Sequence, residues 1–284
     1  MKKFLTPFFI ALMAIGFTGC GDSQPAPNVE TENIKMGMLK NLNATEQKYE
    51  EIMQKFENNA NIKLAHHQVI FYDNLSTMKS DIESGKIQEI STYTFLIDYL
   101  MGKDSRYQMA KNHFGKKKQL DNFAFAIRAE DTALKISINA VLEDMQNSKE
   151  LDRIQNTYIN RLDYIADPPA VAFEKFDGAD TIKVGVTGDL PPMDLILADG
   201  TPAGFNTALI SEIGKRLQKN IEIVKIDSAS RAEALTSRKI DIAFWAIIPI
   251  NAQDENLADI DMPNGVELTA PYFQDEVAHI EFNQ

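Results

Sequence analysis

The sequence predicts an α/β protein of two lobes, each a mostly parallel sheet flanked by helices, with a cleft between the lobes. A length of 284 residues leaves room for two such units. Each half of the chain reads as strand, helix, strand, helix, strand, which is the pattern of parallel sheets covered by helices. The spacing from the first strand to a Lys-Ile strand is 53 positions from Ile34 to Ile87, and 58 positions from Ile182 to Ile240. The halves therefore repeat one architecture.

The first half begins with a strand over residues 33–39. A helix is predicted after Asn43, which suits an N-cap because Glu46 stands at the capping-box position. The further elements predicted from local patterns are a strand at 68–72, a helix at 75–84, a strand from Ile87, a helix at about 93–101, a strand at 123–128, and helices at 134–145 and 149–158.

The second half begins with a buried strand at 182–186, followed by a Pro-rich loop and a turn at 198–202. A helix comes next, because Leu209, Ile213 and Leu217 fall at helical spacing. The loop leaves the carboxyl end of a strand in an α/β unit. Its residues should therefore face the crevice where such sheets hold ligands.

Composition excludes one class of partner. The net charge of −12 argues against nucleic acid, because phosphate binding needs clustered Lys and Arg. Hydrophobic and charged fractions of 44% and 25% are ordinary for a soluble globular protein.

The first twenty residues differ from the rest. A basic start with Lys2 and Lys3 precedes an apolar run over 4–17, too short for a comfortable membrane span, and the single cysteine, Cys20, follows small residues. This pattern resembles a bacterial lipoprotein signal, cleaved before a lipid-bearing Cys20; the alternative is an ordinary secretory signal with an incidental cysteine. Residues 20–32 then read as a flexible tether.

Four segments resemble a known family. IKVGVTGDLPPMD, DGTPAGFNTALISEIGKRL, LTSRKIDIAFWAIIP and APYF follow one another in the second half. In that order they resemble the opening lobe of the bacterial extracytoplasmic solute-binding proteins of family 3, which have the type II periplasmic-binding-protein fold. In the family this lobe comes first, whereas here it comes last.

The resemblance therefore implies a circular permutation, with the family's second lobe placed first. The alternative is a tandem of two diverged half-proteins that share no cleft. The predicted units are a signal peptide at 1–19, a tether at 20–32, a lobe resembling the family's second at 33–122, a hinge strand and helices at 123–165, a linker at 166–180 and a lobe resembling the family's first at 181–284.

The family's amino-acid binders resemble one another in three devices, and this chain departs from each. Leu190 stands where relatives place an aromatic ring that stacks on the ligand. The Arg with which relatives bind the ligand's carboxylate would fall at about Gln253. The Asp with which they bind the ligand's amino group would fall at Tyr93. Without those charges, the resemblance does not imply a standard α-amino acid held in the usual way.

Other side chains are candidates for the ligand site. Trp245 ends a predicted strand and can stack on a ring, although a core tryptophan is the alternative. Arg231, after Ser228 at a helix start, can form an anion site, with a solvated surface arginine as the alternative. The complete predicted ligand-binding set is Asp189, Leu190, Asp194, Ser228, Arg231, Trp245, Asn43 and Tyr93.

The predicted function is that of a lipid-anchored solute-binding protein in the cell envelope, facing the periplasm or the cell exterior. A small molecule, an ABC transporter permease and, through Cys20, the membrane are its expected partners, and the protein is expected to be a monomer. No cofactor or metal is expected, and no catalytic motif is found, so an enzyme is not predicted. The alternatives are a ligand-sensing subunit of a signalling receptor and a lyase or dehydratase that uses Asp189 and Asp194.

Overall fold

The computed structural model describes residues 34–43, 45–51, 54, 67–110, 119–163, 166–249 and 261–284. The predicted signal peptide, Cys20, the tether and Gln253 lie outside these residues. Within them, no helix is both long enough and apolar enough to cross a membrane.

The described strands and helices follow the order expected from the sequence. The strands are β1 (Ile34–Leu39), β2 (His67–Tyr72), β3 (Glu89–Tyr93), β4 (Tyr107–Met109), β5 (Gln119–Arg128), β6 (Thr181–Val186), β7 (Asp189–Leu190), β8 (Asp194–Ile196), β9 (Pro202–Ala203), β10 (Asn220–Lys225), β11 (Ile242–Pro249), β12 (Val266–Leu268) and β13 (Phe273–Phe282). The α-helices are α1 (Leu75–Glu83), α2 (Thr94–Lys103), α3 (Thr132–Asn147), α4 (Glu150–Gln155), α5 (Phe205–Leu217) and α6 (Arg231–Thr236), and residues 46–51 are also helical.

The two lobes have the same strand order. In the N-terminal lobe the order is β2-β1-β3-β13-β4, and in the C-terminal lobe it is β10-β6-β11-β5-β12. The first three strands of each lobe are parallel, and the fourth runs antiparallel to them. The predicted α/β class with two similar lobes is therefore confirmed.

The fourth strand of each lobe comes from the other half of the chain. Residues 119–123 of β5 pair antiparallel with residues 273–277 of β13. Beyond this shared stretch, β5 continues beside β11 and β13 continues beside β3. The sequence predicted β5 only from Phe123, because the earlier residues form a strand through distant partners rather than through a local apolar pattern.

The first and last described strands lie close together. Met36 of β1 and Glu281 of β13 both pair with Glu89 of β3, one from each side. Two strand spacings separate them, which is about 10 Å. The start of β1 and the end of β13 therefore lie close together, on the two sides of β3.

The loop and helix after β6 are joined through main-chain hydrogen bonds. Gly204 has φ 105°, and a Cβ there would lie 2.6 Å from the carbonyl oxygen of Met193, so only glycine fits. The N–H groups of Phe205 and Asn206 donate to the carbonyls of Pro192 and Met193, both at 2.8 Å. The first turn of α5 therefore holds the preceding loop in place.

Helices α3 and α4 pack on α5 of the C-terminal lobe. Ile138, Leu142 and Met145 form the buried stripe of α3, as the apolar spacing predicted. The predicted single helix over 149–158 is divided into α4 and a π-helical turn, Asn156–Asn160. Asp144 of α3 also pairs with Arg216 of α5.

Candidate solute-binding site

The candidate site centres on a buried carboxylate at the start of β8. Asp194 is 1% exposed, and its Oδ1 accepts a hydrogen bond from Trp245 Nε1 at 3.0 Å. Its Oδ2 accepts from the main-chain N–H of Gly188 at 3.0 Å and from Thr187 Oγ1 at 3.3 Å. Burial raises the pKa of Asp194, and the Gly188 and Trp245 hydrogen bonds oppose that rise. The carboxylate thus connects the β6 loop to β11.

Trp245 is placed by an irregularity in β11. The pairing with β5 shifts register between Ala243 and Ala246, and Trp245 has φ 64°, which is uncommon for a bulky residue. The bulge turns the indole toward the N-terminal lobe. Its ring centroid lies 6.0 Å from Tyr93 and 5.7 Å from Phe95. Trp245 is 3% exposed and belongs to the core at the junction of the lobes.

Tyr93 lies on the opposite side of this junction. Its hydroxyl donates to Asp121 Oδ2 at 2.9 Å, and both residues are buried. Burial, with the nearby Asp121 carboxylate as a second cause, holds the pKa of Tyr93 well above its usual range. The residue expected to replace the family's ligand-binding Asp therefore pairs with a carboxylate of its own chain.

Asn43 links the two lobes directly. Its Nδ2 donates to the carbonyl oxygen of Ile247 at 2.6 Å, and the N–H of Ile247 donates to Asn43 Oδ1 at 3.1 Å. The prediction that Asn43 caps the following helix is therefore wrong. Thr45 has that role, because its Oγ1 accepts from the N–H of Lys48 at 3.2 Å.

Asp189 forms a second link between the lobes. Its Oδ2 accepts from the N–H of Ser76 at 3.3 Å and from Ser76 Oγ at 3.1 Å, at the start of α1. A carboxylate at this position is favoured by the positive end of the helix dipole. Ser76 is not among the residues predicted from the sequence, although its place in the first turn of a predicted helix was an available signal.

Arg231 and Ser228 contact each other away from the surface. Arg231 is 3% exposed, so the alternative of a solvated arginine is wrong. Its Nη2 donates to Ser228 Oγ at 2.8 Å, while its Nη1 has no hydrogen-bond partner among the described residues. Burial lowers the pKa of Arg231 to about 10, and the carboxylates of Asp194 and Asp189 oppose this shift.

Leu190 pairs with Asp194 through the main chain of β7 and β8, but its side chain points into the core. It is 1% exposed and packs in the hydrophobic core. A cavity of about 360 Å³ borders the aromatic junction through Phe95 and Phe273. Its polar lining, which sequence analysis missed, comes from Thr94, Asp98, Gln155, Asn160, Gln274 and Asp275. Among the described residues, no group of three His, Cys, Asp or Glu side chains is placed to hold a metal ion.

The raised pKa of Asp194 predicts a pH-dependent effect of Asp194→Asn. A carboxyl whose folded pKa exceeds its unfolded value favours the folded state most at acid pH, and this contribution is lost as pH rises through the folded pKa. We therefore expect the wild type to lose stability relative to Asp194→Asn as pH rises from near 3.8, the ordinary carboxyl pKa. Urea unfolding of both proteins across the acid-to-neutral range measures the difference.

Asp199→Asn is the control for that experiment. Hydrogen bonds from Thr201 lower the pKa of the exposed Asp199, so its contribution is present at higher pH and lost as pH falls. The two variants should therefore differ from the wild type with opposite pH trends. A pH-independent difference for Asp194→Asn would contradict the buried-carboxylate interpretation.

Comparison with known proteins agrees with the resemblance in the C-terminal lobe. Residues 182–263 match the family described as bacterial extracellular solute-binding proteins, family 3. The matched segment is less than a third of the chain. The match confirms the expected family for this segment and begins at the strand β6 that leads into the Asp194 loop. No curated protein matches the chain.

Solved structures of binding proteins are similar to the chain in outline. A zinc-bound ligand-binding component of an ABC-type import system from Staphylococcus aureus shares 10% identity with a TM-score of 0.42; the alignment covers 88% of this chain and 65% of that one. A nutrient-binding protein from Burkholderia cenocepacia bound to methionine shares 12% identity with a TM-score of 0.39, over 88% and 84%. A periplasmic substrate-binding protein from Coxiella burnetii shares 11%, also with a TM-score of 0.39, over 88% and 84%. None of these likenesses identifies a ligand for this chain.

Proposed function

We propose that this protein is an extracytoplasmic solute-binding protein that captures a small molecule between its lobes and delivers it to an ABC-type importer. The observation that supports this most directly is the lobe junction. Trp245, Tyr93, Asn43 and Asp189 lie there, between the two similar halves of one sheet that the pairing of β5 with β13 joins. Two crossing strands form a hinge, and closure around it buries whatever lies between the lobes.

Circular permutation is part of the proposal. The identical strand order in the two lobes supports it, as does the position of β1 and β13 on the two sides of β3, about two strand spacings apart. In a permuted chain the new ends lie close together because they mark a break in a continuous chain, and a linker joins the family's original ends. The proposed linker here is residues 166–180, which are mostly irregular.

Membrane attachment through lipid on Cys20 completes the proposal. A lipidated Cys20, followed by the tether at 20–32, would hold the protein at the membrane surface beside a permease. The motif's basic start, apolar run and small residues support this assignment.

Identification of the solute retained by the purified protein tests the function. We expect mass spectrometry to find a small molecule that is not held, as the family's amino-acid ligands are, by an Arg at its carboxylate and an Asp at its amino group. Adding this molecule at a hundredfold excess over its Kd should stabilise the protein by about 2.7 kcal/mol and raise Tm by about 5–10 °C. Failure to retain or respond to any small molecule would oppose the function.

Glutamine, histidine and arginine are the matched negative ligands. We expect none of them to shift Tm, because Tyr93 stands where an ammonium-binding Asp is needed, and Tyr93 is already paired with Asp121. Tight binding of any of the three through its α-carboxylate and α-ammonium groups would overturn the proposed ligand class while leaving solute binding intact.

A further inference from the structure

We propose that the solute carries a planar amide edge, with a neighbouring N–H and C=O as in a primary carboxamide or a ring lactam, and that this edge binds the main chain of Ile247 in place of Asn43. This inference rests on the proposed function and names the ligand class of the same site.

The contact between Asn43 and Ile247 shows what this main-chain site recognises. One planar carboxamide donates to the carbonyl oxygen at 2.6 Å and accepts from the N–H at 3.1 Å, so both polar groups of a single residue are satisfied at once. The partners are 204 positions apart and belong to different lobes. Asn43 is 2% exposed, so the pair lies inside the junction.

The position of Ile247 in the sheet explains why its main chain is available. β11 pairs with β6 only at Ile242 and Ala243, so its later residues extend past the end of β6. On its other side Ile247 stands opposite Phe123, but both of its polar groups bond to Asn43 instead. The overhanging edge therefore offers a donor and an acceptor on the same side, as the edge of a sheet does to an added strand.

The geometry selects a particular kind of amide. A trans peptide bond directs its N–H and C=O to opposite sides. A primary carboxamide or a ring lactam directs both to the same side, as the Asn43 side chain does. Such groups can replace Asn43 atom for atom, whereas a carboxylate lacks the donor for the carbonyl oxygen of Ile247.

The surroundings suit a neutral, planar solute. Trp245 stands two residues before Ile247 on β11 and is buried against Tyr93 and Phe95, so the strand that carries the amide-binding edge packs on an aromatic, uncharged cluster. Asp194 already accepts three hydrogen bonds from its own chain. A neutral lactam needs no buried counter-ion, which avoids the desolvation cost of a charged ligand.

Asn43 is then an internal competitor of the solute. Loss of its two hydrogen bonds to Ile247 should therefore strengthen probe binding by about tenfold. The probes are uracil and nicotinamide, which carry the amide edge, with nicotinate as the matched compound that carries a carboxylate instead. Calorimetry compares the wild type with Asn43→Ala, and NMR follows the amide of Ile247.

Asn43→Asp serves as the second variant, because it keeps the size and the acceptor of Asn43 but lacks the donor. Circular dichroism and Tm establish that both variants fold. We expect at least one amide probe to bind Asn43→Ala about tenfold more tightly than the wild type. The same probe should shift the Ile247 amide and bind more tightly than nicotinate.

Four results would overturn the inference: absence of amide-probe binding to either variant, equal binding to wild type and Asn43→Ala, an unshifted Ile247 amide, or a preference for nicotinate. A retained solute without an amide edge would also overturn it, yet the solute-binding function would stand. If no solute is retained and none binds, the function itself fails.

Discussion

Arg128→Ala should destabilise the C-terminal lobe by about 3–5 kcal/mol, the range for removing one partner of a buried ion pair. Arg128 is 6% exposed at the end of β5. Its Nη2 lies 2.5 Å from Asp131 and 2.6 Å from Asp241, so removal leaves two carboxylates without their cation. Urea unfolding followed by the fluorescence of Trp245, the single tryptophan, reports on this lobe.

The same side chain also holds two backbone groups. Its Nη1 donates to the carbonyl oxygens of Leu235 at 3.2 Å and Ile240 at 2.5 Å. Leu235 lies in the last turn of α6, and Ile240 lies just before β11. Lysine cannot reproduce this forked geometry, so Arg128→Lys should also lose stability, although less than alanine.

Arg238→Ala is the control for Arg128. Arg238 pairs with Glu130 nearby, but both side chains are more than half exposed, and such pairs contribute about 0–1 kcal/mol. Equal losses of stability in Arg128→Ala and Arg238→Ala would show that the buried network around Arg128 stabilises the fold no more than a surface ion pair does.

Trp245→Ala should cost about 3–5 kcal/mol, the range for replacing a large buried aromatic residue with alanine. The indole contacts rings from both lobes, with centroids 5.6 Å from Phe123 and 6.0 Å from Tyr93. Its removal should therefore weaken both the C-terminal core and the lobe junction. Because the variant lacks the fluorescent reporter, circular dichroism in urea is the appropriate measurement.

Trp245→Phe separates packing from hydrogen bonding. Phenylalanine fills most of the space but cannot donate to Asp194, so we expect a smaller loss of about 1–3 kcal/mol for the unpaired buried acceptor. If Trp245→Ala and Trp245→Phe each lower the free energy of unfolding by less than about 1 kcal/mol, the indole is not a packing centre of the junction.

Sequence patterns located most of the described elements because those elements depend on local signals. The stripe Leu209, Ile213 and Leu217 predicted α5, and the apolar run at 182–186 predicted β6. The loop after β6 was expected at the site, and it supplies both Asp189 and Asp194. The resemblance of this segment to family 3 was also visible in the sequence, and the family match confirms it.

The roles of the candidate side chains could not be read locally. Asn43 has the residue type and the spacing of a helix cap, but its partner is Ile247, 204 positions away. The burial of Arg231 could not be predicted locally, because nothing adjacent in sequence places the carboxylates of Asp189 and Asp194 near it. The direction of the Trp245 side chain depends on a bulge formed against β5. The alternation of apolar and polar residues along a strand does not predict where a bulge occurs.

The sequence by itself determined two α/β lobes and the loop that carries the candidate site, because hydrophobic periodicity and turn residues act over a few positions. Only the tertiary structure decided how the lobes are joined, through β5 and β13, and how Asn43, Tyr93 and Trp245 meet at their junction. These contacts join residues far apart in the chain, so they form only when both sheets are assembled.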